Sequence, residues 1–109
     1  MLIAVASRDG KDINEHFGHA ELFYVYEVEG DTVTLKEEKH VEKYCSDDPD
    51  HGLRKPVLTT TAEALKECRA VVCAQIGQAP QMELERMGID VYAAPGPIRE
   101  TLIELAKVI

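Results

Sequence analysis

The chain opens with Met1-Leu2-Ile3-Ala4-Val5-Ala6-Ser7-Arg8, and the turn Asp9-Gly10 follows. An uninterrupted apolar run that ends at a turn signal predicts a strand buried on both faces. Such strands occupy the centre of parallel sheets that are covered by helices. A second run of this kind, Ala70-Val71-Val72-Cys73-Ala74, predicts another central strand. The two runs together favour an α/β fold.

The chain between these runs predicts a hairpin and two loops. Residues 21–28 are rich in aromatic and β-branched side chains, and residues 32–39 alternate polar with apolar ones, so they predict two antiparallel strands around Gly30. The charges at positions 36–39 are typical of an exposed sheet edge. Residues 11–19 are predicted to form one loop, and residues 40–56 a longer one.

The remainder of the chain predicts three helices and a last strand. Apolar spacing near 3.6 residues predicts a helix over residues 57–68, one from the turn at 77–80 to Gly88, and one that Pro95-Gly96-Pro97 starts. Residues 89–93 predict the last strand. The resulting order, β-β-β-α-β-α-β-α, predicts one domain over residues 1–109, with a mixed five-stranded sheet flanked by helices.

Composition limits the classes of partner. The chain of 109 residues can build one core, and its 20 acidic against 12 basic side chains give a net charge of −8. That charge repels nucleic acid and anionic membranes, and no basic patch offsets it. No apolar run approaches the ~20 residues that span a bilayer, and Met1-Leu2-Ile3-Ala4 lacks the basic region that begins a signal peptide. We expect a soluble cytoplasmic protein that binds neither nucleic acid nor membranes.

The predicted topology brings three segments to one edge of the sheet. Ligands in open sheets bind beyond the carboxyl ends of the parallel strands. Residues 7–19, 74–80 and 93–97 all follow such ends, so we expect them to share one rim.

Two of these segments carry candidate ligand-binding residues. His16-Phe17-Gly18-His19 holds two imidazoles that could bind iron, zinc or copper, or donate to a sulfide. A solvated loop whose histidines hydrogen-bond locally explains the same residues. Gly77 precedes a helix whose N–H groups could receive an anion, although turn geometry also accounts for this glycine.

Three cysteines cannot all pair, and no C-x-x-C motif occurs, so the sequence indicates neither a disulfide framework nor a thiolate zinc site. Cys45 could be a soft metal ligand near His51, or an incidental loop residue. The acidic turn at residues 46–50 lacks the glycine and distal glutamate of a calcium loop. Cys68 and Cys73 are predicted core residues. The absence of P-loop, G-x-G-x-x-G, H-E-x-x-H and serine-elbow motifs favours a binding protein over an enzyme.

Several segments together resemble the dinitrogenase iron-molybdenum cofactor-binding family over essentially the whole chain. The specific part is the H-F-G-x-A motif at residues 16–20. The other matching segments are Ile3-Ala4-Val5-Ala6-Ser7, Phe23-x-Val25-Tyr26, Val72-Cys73-Ala74-x-Ile76-Gly77 and Gly88-Ile89-Asp90-Val91. The family includes small carriers of the nitrogenase cofactor or its iron-sulfur precursor, and the C-terminal domain of the cofactor-core synthase.

The resemblance implies a ribonuclease-H-like sheet without nuclease activity. It also implies a non-catalytic carrier of an iron-molybdenum cofactor or iron-sulfur precursor, moving between donor and acceptor proteins of cofactor biosynthesis. The implied contacts are His16 to the cluster, Gly18, His19 and Gly77 along the same rim, and His19 and Cys45 as further metal ligands. Some similar proteins hold a molybdenum-copper sulfide cluster instead. Backbone N–H groups and Arg8 or Lys11 would compensate the charge of an anionic cluster.

Two other functions fit the same sequence. One is a metal-free regulatory module that docks a partner along the edge strand at residues 32–39. The other is a nuclease-like hydrolase, which would need acidic residues clustered on the central strands. Asp90 is the acidic residue that those strands offer.

Overall fold

The computed structural model describes residues 1–41 and 63–109. Its strands are β1 (Leu2–Ala6), β2 (Asp12–Ile13), β3 (Leu22–Glu29), β4 (Thr32–His40), β5 (Ala70–Cys73), β6 (Asp90–Ala93) and β7 (Gly96–Pro97). The helices are a 3-10 helix at Phe17–His19, α1 (Gln78–Arg86) and α2 (Ile98–Ala106). No helix of these described ranges is long and apolar enough to cross a bilayer.

Five strands form one mixed sheet in the order β4-β3-β1-β5-β6. The β3–β4 hairpin is antiparallel, β3 also runs antiparallel to β1, and β1, β5 and β6 are parallel. The predicted mixed five-stranded sheet is therefore confirmed, and the apolar opening run forms its middle strand. The ribonuclease-H-like topology and the complete order of elements stay predictions.

Strands β1 and β5, which the two apolar runs form, are buried on both faces of the sheet. On β1, Ala4 and Ala6 point into a core that contains Leu84 of α1, whereas Ile3 and Val5 point into a second core that contains Leu102 of α2. All six of these side chains are fully buried. Burial on both faces accounts for the uninterrupted apolar run from Leu2 to Ala6.

Strand β4, at the edge of the sheet, has features that discourage the pairing of a further strand. The register shifts between Val25 and Tyr26, which leaves Lys36 as an extra residue between Leu35 and Glu37 on β4. A bulge of this kind bends an edge strand, and charged side chains discourage another chain from adding to it. The predicted hairpin and charged edge are confirmed.

One prediction of local structure is wrong. Residues 11–19 are not a simple loop, because β2 pairs with β7 in a separate two-stranded sheet. The prediction that Pro95-Gly96-Pro97 starts the last helix is confirmed, since Pro97, a residue of β7, is the N-cap of α2. In the helix predicted over residues 57–68, Glu63 and Ala64 are helical and Leu65 and Cys68 are buried, while its first part lies outside the described residues.

Helix α1 matches its prediction. It follows Gly77 as N-cap and ends at Arg86 with Met87 as C-cap. Gly88 comes next with a φ of 84°, a backbone conformation that a residue with a Cβ adopts only with strain.

Candidate functional site

The three segments predicted to share a rim meet through backbone hydrogen bonds. The Phe17 N–H donates to the Gln75 carbonyl at 2.8 Å, and the Ala74 N–H donates to the Glu15 carbonyl at 3.0 Å. The third segment joins through the β2–β7 pairing and through the Ala94 N–H, which donates to the Cys73 carbonyl at 2.9 Å. The loop after β1 is thereby fixed to the ends of β5 and β6.

His16 lies where this loop turns. It is the N-cap of the 3-10 helix, and its Nδ1 accepts a hydrogen bond from the Gly18 N–H at 2.9 Å. The backbone N–H of His16 donates to the Glu15 carboxylate at 3.0 Å. The side chain of Phe17 is 1% exposed and packs against Phe23, which anchors the turn in the core. The His16 ring therefore stands at the rim in a defined orientation.

The Gly18 hydrogen bond also assigns the tautomer of His16. An Nδ1 that accepts an N–H carries no proton, so the neutral ring carries its proton on Nε2. Partial burial of the ring lowers the pKa of His16 below its ordinary value of 6.5, and the neighbouring His19 lowers it further, while Glu15 opposes the shift. At neutral pH the ring thus offers an Nε2–H donor rather than a free lone pair.

His19 lies beside His16, as the sequence spacing predicted. The two ring centroids are 4.9 Å apart, His16 is half-buried, and His19 is exposed. Gly18 is buried, and its N–H is already used by His16. The N–H groups of Phe17, His19 and Ala20 donate to backbone carbonyls. The expected nest of free backbone N–H groups is therefore not available in this turn.

A cavity of about 510 Å³ opens beside the turn, within the size range of small-ligand sites. Its lining includes His19, Arg8 and Glu15, together with Ser7, Ala20, Glu21 and Leu22. Arg8 contacts Glu15 through Nε and Oε2 at 3.4 Å, and its side chain remains 68% exposed. Of the two cations expected near the site, the structure brings Arg8 to this cavity. Lys11 does not line it.

A network of hydrogen bonds holds the loop that leads to His16, and sequence analysis missed it. The Asp9 carboxylate accepts from the backbone N–H groups of Lys11 at 2.8 Å and Asp12 at 3.0 Å, and these bonds lower the pKa of Asp9. The buried Ser7 hydroxyl donates to the backbone carbonyl of Asp12 at 2.6 Å, and the side-chain oxygen Oδ1 of Asn14 accepts from the backbone N–H of Arg8 at 2.8 Å. The signal that could have revealed it is Ser-x-Asp-Gly, a sequence typical of side-chain-stabilised turns.

Of the remaining predicted site residues, those that the structure describes do not line the cavity beside His19. Gly77 is the N-cap of α1, two residues after the Gln75 carbonyl that binds Phe17, and it supplies no side-chain cap. Cys45, His51 and the acidic turn at residues 46–50 lie outside the described residues. Cys68 and Cys73 are buried as predicted, and burial raises the pKa of each thiol to about 11.

The described part of the site is too small for a closed metal centre. Within residues 1–41 and 63–109, no group of three or more His, Cys, Asp or Glu side chains is arranged to hold a metal ion. The turn offers the two imidazoles of His16 and His19, whereas structural metal sites use about four ligands.

Comparison with known proteins identifies the family. The family model described as dinitrogenase iron-molybdenum cofactor matches residues 1–108. The chain belongs to this family. It is 38% identical over 109 residues to the FeMo cofactor biosynthesis protein NifB of Azotobacter vinelandii, and 37% identical over 105 residues to that of Klebsiella pneumoniae. These alignments cover 98% and 93% of this chain but 22% of each relative.

Solved structures share the fold of this member of the dinitrogenase iron-molybdenum cofactor family. A protein of Methanocaldococcus jannaschii matches with a TM-score of 0.62 at 13% identity, over 98% of this chain and 88% of its own. A Thermotoga protein matches with a TM-score of 0.62 at 18% identity, over the same shares of the two chains. At these identities the likeness concerns the fold alone.

Proposed function

We propose that this protein is a non-catalytic carrier of a metallocluster in nitrogenase cofactor biosynthesis, with an iron-molybdenum cofactor or an iron-sulfur precursor as its cargo. The proposal includes the ribonuclease-H-like topology, a cytoplasmic location, and exchange with donor and acceptor proteins. Membership of the dinitrogenase iron-molybdenum cofactor family and the names of the NifB relatives support the pathway. The observation that carries the proposal is the fixed His16 ring at the rim of the sheet.

In this proposal His16 holds the cluster through a hydrogen bond. Its Nε2–H would donate to a bridging or terminal sulfide, because the Gly18 bond keeps the proton on Nε2. Exposed His19 is free to coordinate a metal ion of the cluster, and Cys45 is retained as a candidate third contact. Arg8 and the N-terminus of α1 after Gly77 would offset the charge of an anionic cluster.

Such a site would release its cargo readily. Few direct bonds and a hydrogen bond instead of a metal–nitrogen bond give modest affinity, which suits a protein that passes a cluster onward. A hydrolase is less consistent with the geometry, since Asp90 begins β6 at the opposite end of the strand from the rim and pairs with Arg69.

The deciding experiment measures cluster uptake by the whole chain under anaerobic conditions, with isolated iron-sulfur precursor and, separately, with tetrathiomolybdate plus copper. The variant His16→Asn is the most informative, because the asparagine oxygen can replace Nδ1 as the acceptor for Gly18 while the distal N–H is lost. We expect the variant to keep its thermal stability and to bind the cluster at least about tenfold more weakly, the worth of one charge-assisted hydrogen bond.

The control variant is His40→Asn, which removes an exposed imidazole on β4, outside the turn that holds His16 and His19. Equal uptake by the wild type and His16→Asn would exclude His16 as the contact. Uptake of tetrathiomolybdate with copper, but not of the iron-sulfur precursor, would identify the alternative cargo. Failure of the wild type to take up either cluster would favour the metal-free partner-binding module.

A further inference from the structure

A second cavity, of about 320 Å³, lies between the loop after β1, the hairpin and the start of α2. Its lining consists of Gly10, Lys11, Tyr26, Val33, Ile98 and Arg99. None of these residues lines the cavity beside His19. The two cavities are therefore separate, although residues of the loop after β1 line both of them.

Among the described residues, the second cavity holds two cations that form no ion pair, whereas most other cations are paired with carboxylates. Lys11, Lys36 and Arg99 are the cations that make no ion pair with another described residue. Lys11 and Arg99 share this one cavity, and no carboxylate appears among the described residues that line it. In a protein with a net charge of −8, two such cations in one concavity have no structural partner to explain them.

The backbone fixes both cations at the edge of the cavity. The Ile98 N–H donates to the Lys11 carbonyl at 3.0 Å, and the adjacent β2–β7 pairing joins Asp12 to Pro97. Gly10, with a φ of 74°, makes the turn that precedes Lys11. Lys11 and Arg99 therefore start from neighbouring parts of the backbone, and a shared ligand would have to order only their exposed side chains.

Tyr26 completes the lining with a neutral donor. It is half-buried, and this burial raises the pKa of its phenol, with further contributions from Tyr24 and Glu38. The hydroxyl thus stays protonated throughout the physiological range. A phenol, an ammonium and a guanidinium are all hydrogen-bond donors to oxyanions.

We propose that this cavity binds a small anion with two oxyanion groups, such as a dicarboxylate or a diphosphate, through Lys11, Arg99 and Tyr26. The volume lies at the low end of small-ligand sites, which limits the ligand to a compact molecule. Carboxylates and phosphates share the geometry that a guanidinium recognises, so the two sources must be separated by experiment. The site is independent of cluster binding at His16.

The test titrates the whole chain with succinate in one series and pyrophosphate in another, at about 0.15 M NaCl to screen non-specific attraction. Amide proton–nitrogen correlation spectra report where each anion binds. We expect saturable shifts at Gly10, Lys11 and Arg99, and the anion with the lower dissociation constant identifies the ligand class.

Matched variants decide whether the binding belongs to this cavity. Lys11→Gln and Arg99→Gln should each weaken binding at least about fivefold, while Lys36→Gln, which removes an unpaired cation elsewhere, should leave it unchanged. Lys11→Arg keeps the charge and should preserve binding, which separates charge loss from misfolding. Absence of saturable shifts with both anions, or an equal loss in Lys36→Gln, would overturn the proposal.

Discussion

At His16, one hydrogen bond decides what the imidazole can do. Gly18 donates to Nδ1, so the distal nitrogen, Nε2, carries the proton and acts as a hydrogen-bond donor. Direct binding of a metal ion through Nε2 would require that proton to leave or the Gly18 bond to break. Donation to a sulfide requires neither, which makes it the simpler mode of contact.

The tautomer of His16 can be measured directly. We expect its ring nitrogens to show the Nε2–H form above its pKa, and its titration in NMR spectra to fall below 6.5, because burial of the ring disfavours the charged form. Protonation would occur at Nδ1 and break the bond to Gly18. An Nδ1–H tautomer, or a pKa raised above 6.5, would contradict this assignment.

The lowered pKa of His16 also makes the free energy of unfolding depend on pH. The folded state disfavours the charged ring, so the contribution of His16 to the free energy of unfolding is complete above pH 6.5 and is lost as the pH falls through the lower, folded pKa. We expect the pH dependence of the thermal midpoint in this window to be smaller in His16→Asn than in the wild type. His40→Asn serves as the control.

At the scale of elements, helix α1 presents its N-terminus to the rim without a side-chain cap. Gly77 has a φ of −76°, which any residue adopts, and a Cβ there would lie 3.7 Å from Pro80 Cδ, an ordinary contact. The glycine is therefore not required by the backbone. Serine and aspartate would both fit at Gly77 and supply the missing cap.

The pair of variants Gly77→Ser and Gly77→Asp separates capping from charge. Both should raise the free energy of unfolding by about a few tenths of a kcal/mol in chemical denaturation, since both oxygens accept from the first turn of the helix. Only the aspartate places a negative charge at the rim, so we expect Gly77→Asp alone to weaken uptake of an anionic cluster. Equal uptake by both variants would remove α1 from the proposed site.

Elements of different length are predictable to different degrees. The five long strands follow from apolar runs and alternation, and α1 follows from Gly77, its apolar spacing and Gly88. Strands β2 and β7 have two residues each, too few for any period to be visible. They exist because the loop and the start of α2 meet in space, which no local pattern encodes.

At the scale of the whole molecule, the net charge of −8 opposes the approach of an anionic cargo. Arg8, which lines the cavity beside His19, is already paired with Glu15. Arg8 and the N-terminus of α1 would act on a bound cluster at short range, whereas the net charge acts while the cluster approaches.

The rate of cluster association should consequently rise with ionic strength, because salt screens the repulsion. Stopped-flow absorbance with whichever cluster binds, at about 0.02 M and about 0.2 M NaCl, measures this rate. The dissociation rate, governed by short-range contacts, should change less. A rate that falls with added salt would mean that a positive patch, rather than the net charge, controls the approach.

By itself the sequence determined the mixed sheet, its buried central strand, its charged edge and the pair of histidines at the rim. Local periodicity and the H-F-G-x-A motif predict these features. Only the tertiary structure decided that the Gly18 N–H fixes the His16 tautomer, that Arg8 rather than Lys11 reaches the cavity beside His19, and that Lys11 meets Arg99 elsewhere. Each of these depends on hydrogen bonds and packing between segments far apart in the chain, whose geometry is set only when the strands assemble.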